Sequence, residues 1–331
     1  MDLSSYLPAV AQHGLITHQQ ALAAGLSPRD VARLVGRGEW SRLRKGVYVD
    51  AAAYADLDPH RSAPLLRIHA AQLAIKRPLV FTHDSSAILH RLGVPAAITC
   101  AIHVARPEHR ATRTSGGIVT HGAPFARHEV VIIDGLRALG PARTALDMAR
   151  FHGLWPGVAA CDAALRSGVS RADLAGAAER MQGWPHKLVV DRAIELADPG
   201  SESYLESLGR GLVIEIGVGP PQTQFTLSDG HRTVRGDIRV GRHLFEIDGK
   251  LKYFLQEQGR TPEQILWEEK LRQDFITGFK LGVSRITWFD CHGGRRAAQH
   301  RLAREYAGTV ARFGTDTSDL APYTESVLTG W

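Results

Sequence analysis

The dipeptide Gly241-Arg242 lies between two strand-forming runs, VRGDIRV and HLFEID, and it constrains the fold more tightly than any other stretch of the chain. A two-residue connection with glycine first predicts a type II′ hairpin. In that register Val240 faces His243, Asp237 falls opposite Glu246, and Arg235 falls opposite Asp248. Side chains two apart share a face, so Arg235, Asp237, Glu246 and Asp248 lie on one side of the sheet. Ile238, Val240, Leu244 and Phe245 do not all fit one face, so both faces are expected to be at least partly covered. Carboxylates with Cβ atoms about 5 Å apart repel. Burial that protonates one of them, neutralising arginines, or a divalent cation between them would relieve the repulsion.

A hairpin needs a body to lie on. The chain has 331 residues, enough for two or three domains. Apolar residues make up 44% and charged residues 22%, an ordinary globular balance that argues against disorder over most of the length. The net charge of +6 favours a polyanionic partner. Three cysteines, Cys100, Cys161 and Cys291, stand far apart with no zinc spacing, which excludes a disulfide scaffold and points to a reducing compartment. MDLSSYLPAV lacks the pattern of a signal peptide, and no run of 18 apolar residues occurs, so the expected location is cytoplasmic.

The first 50 residues carry their own punctuation. Thr17 predicts an N-cap for a helix through Ala24, and Gly25 ends it. Ser27 caps the next helix, with Pro28 at its first position. Helix, short turn, helix is a helix-turn-helix arrangement. In the second helix Val31, Leu34 and Val35 form an apolar stripe, while Arg29, Arg33 and Arg37 recur at i, i+4 on another face. WSRLRKGVYV then alternates through Gly46 like a wing decorated by Arg42, Arg44 and Lys45. These six cations are the expected double-stranded DNA contacts, the helix in the major groove and the wing on phosphates. A helical adaptor with solvated arginines is the competing reading.

HGLITHQQALAAGLSPRDVARLVGRGEWSRLRKGVYV resembles the N-terminal winged-helix domain of the AbiEi family of type IV antitoxins. The resemblance implies DNA binding, often at the protein's own promoter. THDSSAILHRLG and RTALDMAR, in an α+β stretch, are similar to the central part of the same family. In that stretch residues 62–92 read as helical, AIHVARP, GIVTHGA and HEVVIIDGLRAL as strands, and GPARTALDMARFHG as a helix. His83 and Asp84 are expected to cap a helix, and Arg143 with Asp147 to form a surface pair. His103, His109, His121 and His128 show no ligand spacing. ADPGSES, residues 197–203, reads as a domain boundary.

Beyond it, ESLGR, GDIRV, FEIDGKLKY, WEEKLRQDFITGFKLG and SRITWFD follow one another in the order seen in the PD-(D/E)XK nuclease superfamily, and they resemble Vsr-like endonuclease domains. The resemblance implies Asp237 and Glu246 as ligands of Mg²⁺ (or Mn²⁺), with Glu206 completing the shell or orienting water. Asp248 stands where many relatives have lysine. Lys250, Lys252 or Lys270 would then supply the cation, and Arg272 and Asp274 would fix the acidic cluster or touch phosphate. The chemistry implied is metal-assisted phosphodiester hydrolysis on DNA held partly by Arg235, Arg239 and Arg242.

The expectation is therefore an α+β multidomain chain: a winged helix-turn-helix over 1–50, an α+β middle domain over 51–198, and over 199–331 an α/β restriction-endonuclease-like domain with a mixed sheet, a basic terminal helix and a loose polar tail. Its expected function is a DNA-binding protein with a Mg²⁺-dependent endonuclease domain. The alternative is an AbiEi-like antitoxin and autorepressor whose nuclease-like domain is inactive and binds a cognate toxin or a second copy.

Overall fold

In a computed structural model, which describes residues 12–93, 101–108, 111–248 and 261–324, the chain divides into two units, residues 1–196 and 197–331. Each is considered by itself.

The first unit begins with β1 (Ile16–Thr17), α1 (His18–Ala23), α2 (Pro28–Gly36), β2 (Trp40–Arg44) and β3 (Val47–Asp50). The caps predicted from the sequence form. Thr17 Oγ1 accepts the Gln20 N–H and Ser27 Oγ accepts the Asp30 N–H, each within a reciprocal capping box. The strands form a small sheet in the order β1-β3-β2. Ile16, Ala21, Val31, Leu34, Trp40 and Tyr48 close its core, which leaves the arginine face of α2 outside.

After α3 (Ala51–Ala55) and α4 (Ser62–Ala74) comes a six-stranded sheet. Its members are β4 (Val80–Phe81), β5 (Ile102–Ala105), β6 (Arg113–Ser115), β7 (Ile118–His121), β8 (Val130–Ile133) and β9 (Leu136–Leu139), in the order β6-β7-β5-β4-β9-β8. The helical reading of 62–92 thus needs a correction: Val80 and Phe81 form a short strand, paired with both β9 and β5. Two residues carry no period of their own, and neighbours far along the chain decide their state. Gly116 and Gly117 both take positive φ (54° and 71°) between Ser115 and Ile118, as a type I′ hairpin requires.

α5 (His83–His90) lies against the sheet, and α6 (Pro141–His152), α7 (Leu154–Arg166), α8 (Arg171–Glu179) and α9 (Lys187–Leu196) follow. Gly157 is where α7 meets α6. A Cβ there would lie 2.3 Å from Ala149 Cβ and 2.5 Å from its Cα. Since the obstacle includes backbone, Gly157→Ala is expected to push the helices apart and cost about 1–3 kcal/mol, read as a lower denaturant midpoint. An unchanged midpoint would refute the close approach.

The second unit contains α10 (Tyr204–Ile216), β10 (Gln222–Ser228), β11 (Thr233–Val240), β12 (His243–Asp248), α11 (Pro262–Gly278), β13 (Gly282–Thr287), α12 (Trp288–Cys291) and α13 (Arg295–Phe313). The sheet is mixed, in the order β10-β11-β12-β13, with β12 and β13 parallel. The register read from Gly241-Arg242 holds: Val240 pairs with His243, Arg239 with Leu244 and Ile238 with Phe245. Gly241 sits at φ 54°. All of Ile238, Val240, Leu244 and Phe245 are buried, so both faces are covered.

The segment after α13 is not a loose tail as far as Thr324. Leu320 is 1% exposed and joins Phe225, Leu227 and Ile276 in the core. Arg242, 6% exposed, donates to the carbonyls of Asp316 and Phe279 and pairs with the Asp319 carboxylate. This guanidinium is held inside the fold.

Candidate nucleic-acid interface and the acidic cluster

On α2, Arg29, Arg33 and Arg37 are exposed. Arg33 reaches back to Asp30 at 2.7 Å, and Arg37 lies 4.0 Å from Glu39. Exposed pairs of this kind contribute little and exchange readily for phosphate. Arg42 and Lys45 on the wing are exposed as well. Arg44 differs. Its Nη1 donates to Gly116 O (2.5 Å) and its Nη2 to Gly117 O (3.0 Å), so it ties the wing to the β6–β7 turn. Five of the six expected DNA contacts therefore face solvent, and Arg44 is held by the protein.

The structure does gather the acids of the second unit, but it engages them. Glu246, 9% exposed, lies 2.5 Å from Arg272 Nη2, which descends from α11. Burial works against the Arg272 cation, yet the Glu246 carboxylate outweighs it and holds the guanidinium above its ordinary value. Asp237 Oδ2 accepts the Ile247 N–H at 2.7 Å. Glu206, on α10, accepts from the Glu202 N–H (2.7 Å), the Ser203 hydroxyl (2.9 Å) and the Gln224 amide (3.1 Å). Its carboxyl is pushed up, chiefly by burial, with Asp237 and Glu202 adding repulsion against those hydrogen bonds.

Neutralisation by arginine is thus the arrangement adopted by Glu246. Among the described residues no group of three or more His, Cys, Asp or Glu side chains is disposed to hold a metal. As placed, Asp237 accepts the Ile247 N–H and Glu246 faces the Arg272 guanidinium. Asp248 ends β12 opposite Thr287 of β13. Lys250 and Lys252 lie outside the described residues, and Lys270 Nζ stands 5.7 Å from the Trp267 ring centroid. Arg235 pairs with Glu202 (2.7 Å) in an exposed pair of the same exchangeable kind, whereas Arg239, half-buried, donates to Gln222 (3.0 Å) over the Phe225 ring and is held by the protein.

One cluster escaped sequence reasoning. His83, His103 and His121 come from α5, β5 and β7 and meet in the interior of the first unit, each at most 5% exposed. His103 Nδ1 and His121 Nε2 are 3.0 Å apart, and the rings of His83 and His121 stack at 3.7 Å. Asp84 bridges His103 Nε2 (3.4 Å) and His152 Nε2 (2.5 Å). Phe151 meets His83, His103 and His121 edge-on. Stacked rings hold their nitrogen lone pairs in parallel planes, so His83 and His121 do not converge on one ion. His83 begins α5 at φ 47°, a conformation rare for residues other than glycine. His83 and Asp84 are therefore members of a buried network and not simple caps.

Arg143 and Asp147 also depart from expectation. They are 3% and 0% exposed, 3.0 Å apart, and the carboxylate also takes Arg150 (3.2 Å) and the Thr82 hydroxyl (3.3 Å). The guanidiniums of Arg143 and Arg150 both stand over the Trp184 ring, 4.8 and 4.7 Å from its centroid.

The helix-turn-helix geometry is matched by a family comparison. Residues 6–49 match the family model described as a transcriptional regulator, AbiEi antitoxin. Residues 80–193 match the AbiEi antitoxin C-terminal domain. Two stretches of the chain are thus similar to AbiEi antitoxin domains. The AbiEi C-terminal domain match contains the six-stranded sheet, the histidine cluster and the buried Asp147 network, whereas the acidic cluster of the second unit lies beyond both AbiEi matches. No curated protein matched the chain. No helix among the described residues is long and apolar enough to cross a membrane.

Proposed function

We propose that this protein is a DNA-binding transcriptional regulator of the AbiEi antitoxin type, acting with a cognate toxin. The observation that carries this reading is the exposed arginine row of α2 beside a basic wing, inside a domain that matches a transcriptional regulator of that family. Val31 and Leu34 anchor one side of α2 in the core, so the opposite side is free to enter a major groove while Arg42 and Lys45 meet flanking phosphates. In this reading the second unit has a nuclease-like order of elements, helix, three strands, helix, strand, but serves binding or self-association. The engagement of Glu246 by Arg272 favours that role over hydrolysis.

The test is fluorescence anisotropy with duplex DNA from upstream of the protein's own gene. Wild type is expected to bind, with affinity falling steeply with salt. Arg29→Ala with Arg37→Ala is expected to weaken binding at least tenfold, and Lys45→Ala to lower the salt slope by about 1. Equal binding by wild type and both variants would remove α2 and the wing as the interface.

A further inference from the structure

A cleft of about 510 Å³ opens beside the wing, within the first unit. Ser41, Arg42, Leu43 and Arg44 of β2 line one side, Tyr54 and Arg67 another, and Gly116-Gly117 a third. Three guanidiniums surround it, and no carboxylate is among its lining residues. We propose that this cleft is a phosphate-binding pocket.

Three observations support it. Arg44 is preorganised: two carbonyls fix its planar fork, and those bonds occupy two of its five N–H donors, leaving the rest for another acceptor. Burial lowers the tendency of this guanidinium to stay charged, with no carboxylate to offset it, and a bound anion supplies the missing partner. Arg67 Nε donates to the Tyr54 hydroxyl oxygen at 2.6 Å, a bond that leaves the phenolic O–H able to donate to another acceptor. Arginine forks match the oxygens of phosphate in pairs, and tyrosine and serine hydroxyls complete such a shell. The volume falls in the range of small-ligand sites. The Gly116-Gly117 turn brings two carbonyls onto one guanidinium because both residues adopt positive φ.

The phosphate comes either from a free phosphorylated small molecule or from the DNA backbone. The second source rests on the DNA-binding reading above; the first does not. Calorimetry of the full chain with inorganic pyrophosphate is the direct experiment, repeated with Arg42→Glu and Arg67→Gln. Binding is expected in wild type and at least tenfold weaker in both variants. Arg42 is exposed, so its variant keeps the test valid if Arg67→Gln disturbs Tyr54 and the fold. Duplex binding is then measured with and without pyrophosphate. Competition assigns the pocket to a backbone phosphate, and undisturbed duplex binding assigns it to a free ligand; both support the pocket. Absence of pyrophosphate binding, or equal binding in wild type and Arg42→Glu, overturns it, whether or not the protein binds DNA.

Discussion

Asp147→Ala is expected to be among the most destabilising single substitutions in the first unit, costing about 3–5 kcal/mol. The carboxylate is fully buried and serves Arg143, Arg150 and the Thr82 hydroxyl together. Its removal leaves Arg143, itself 3% exposed, short of one of its two carboxylate partners; Glu129 remains at 3.5 Å. Arg143 and Arg150 then lose the shared carboxylate that offsets their mutual repulsion. For a unit of 196 residues this corresponds to a melting temperature lower by roughly 10 °C. Asp147→Asn, which keeps one acceptor oxygen, is expected to lose less. A melting temperature within about 2 °C of wild type for Asp147→Ala would show that the network is replaceable by water.

The second large effect is acid sensitivity. Burial, with neighbouring histidines adding to it, drives His83 well below its ordinary value and brings His121 down to about 4; burial also lowers His103 against the pull of Asp84. The groups facing them are Asp84, His152, Arg143 and Arg150. The folded state keeps these rings neutral, while the unfolded chain takes up protons once pH falls below about 6.5. Stability is therefore intact above about 6.5 and is lost progressively toward about 4. His121 alone accounts for roughly 3 kcal/mol across that window. Urea midpoints measured from pH 7.5 downward should fall for wild type and fall less for His121→Phe. The variant is the necessary control because His69 and His243 are also lowered to about 4. Parallel curves for the two proteins would exclude the cluster as the source.

Local chemistry explains which features were legible in the sequence. Ser27 and Asp30, or Gly241 and its neighbours, act within a few residues, so caps and hairpin register could be read directly. The histidine cluster joins positions 83, 103, 121 and 152 from four separate elements, and no spacing announces that. Arg143 and Asp147 have the spacing of a surface pair and, with Arg150, share one polar face of an amphipathic helix, so the local pattern reads as a solvated face and only the packing of distant elements buries it. In the second unit the facing of acids was foreseeable and a role for Arg272 in fixing them was expected. What motif order does not convey is that the arginine lands on the Glu246 carboxylate itself.

Arg242 stands at the tip of a hairpin and holds Asp316 and Asp319 from beyond the last long helix. The β11–β12 turn is thereby latched to a stretch of chain made more than 70 residues later. During synthesis this guanidinium gains the Phe279 carbonyl first and waits for Asp316 and Asp319 until they too have emerged, so the turn is fully secured only well after the strands it joins have been made.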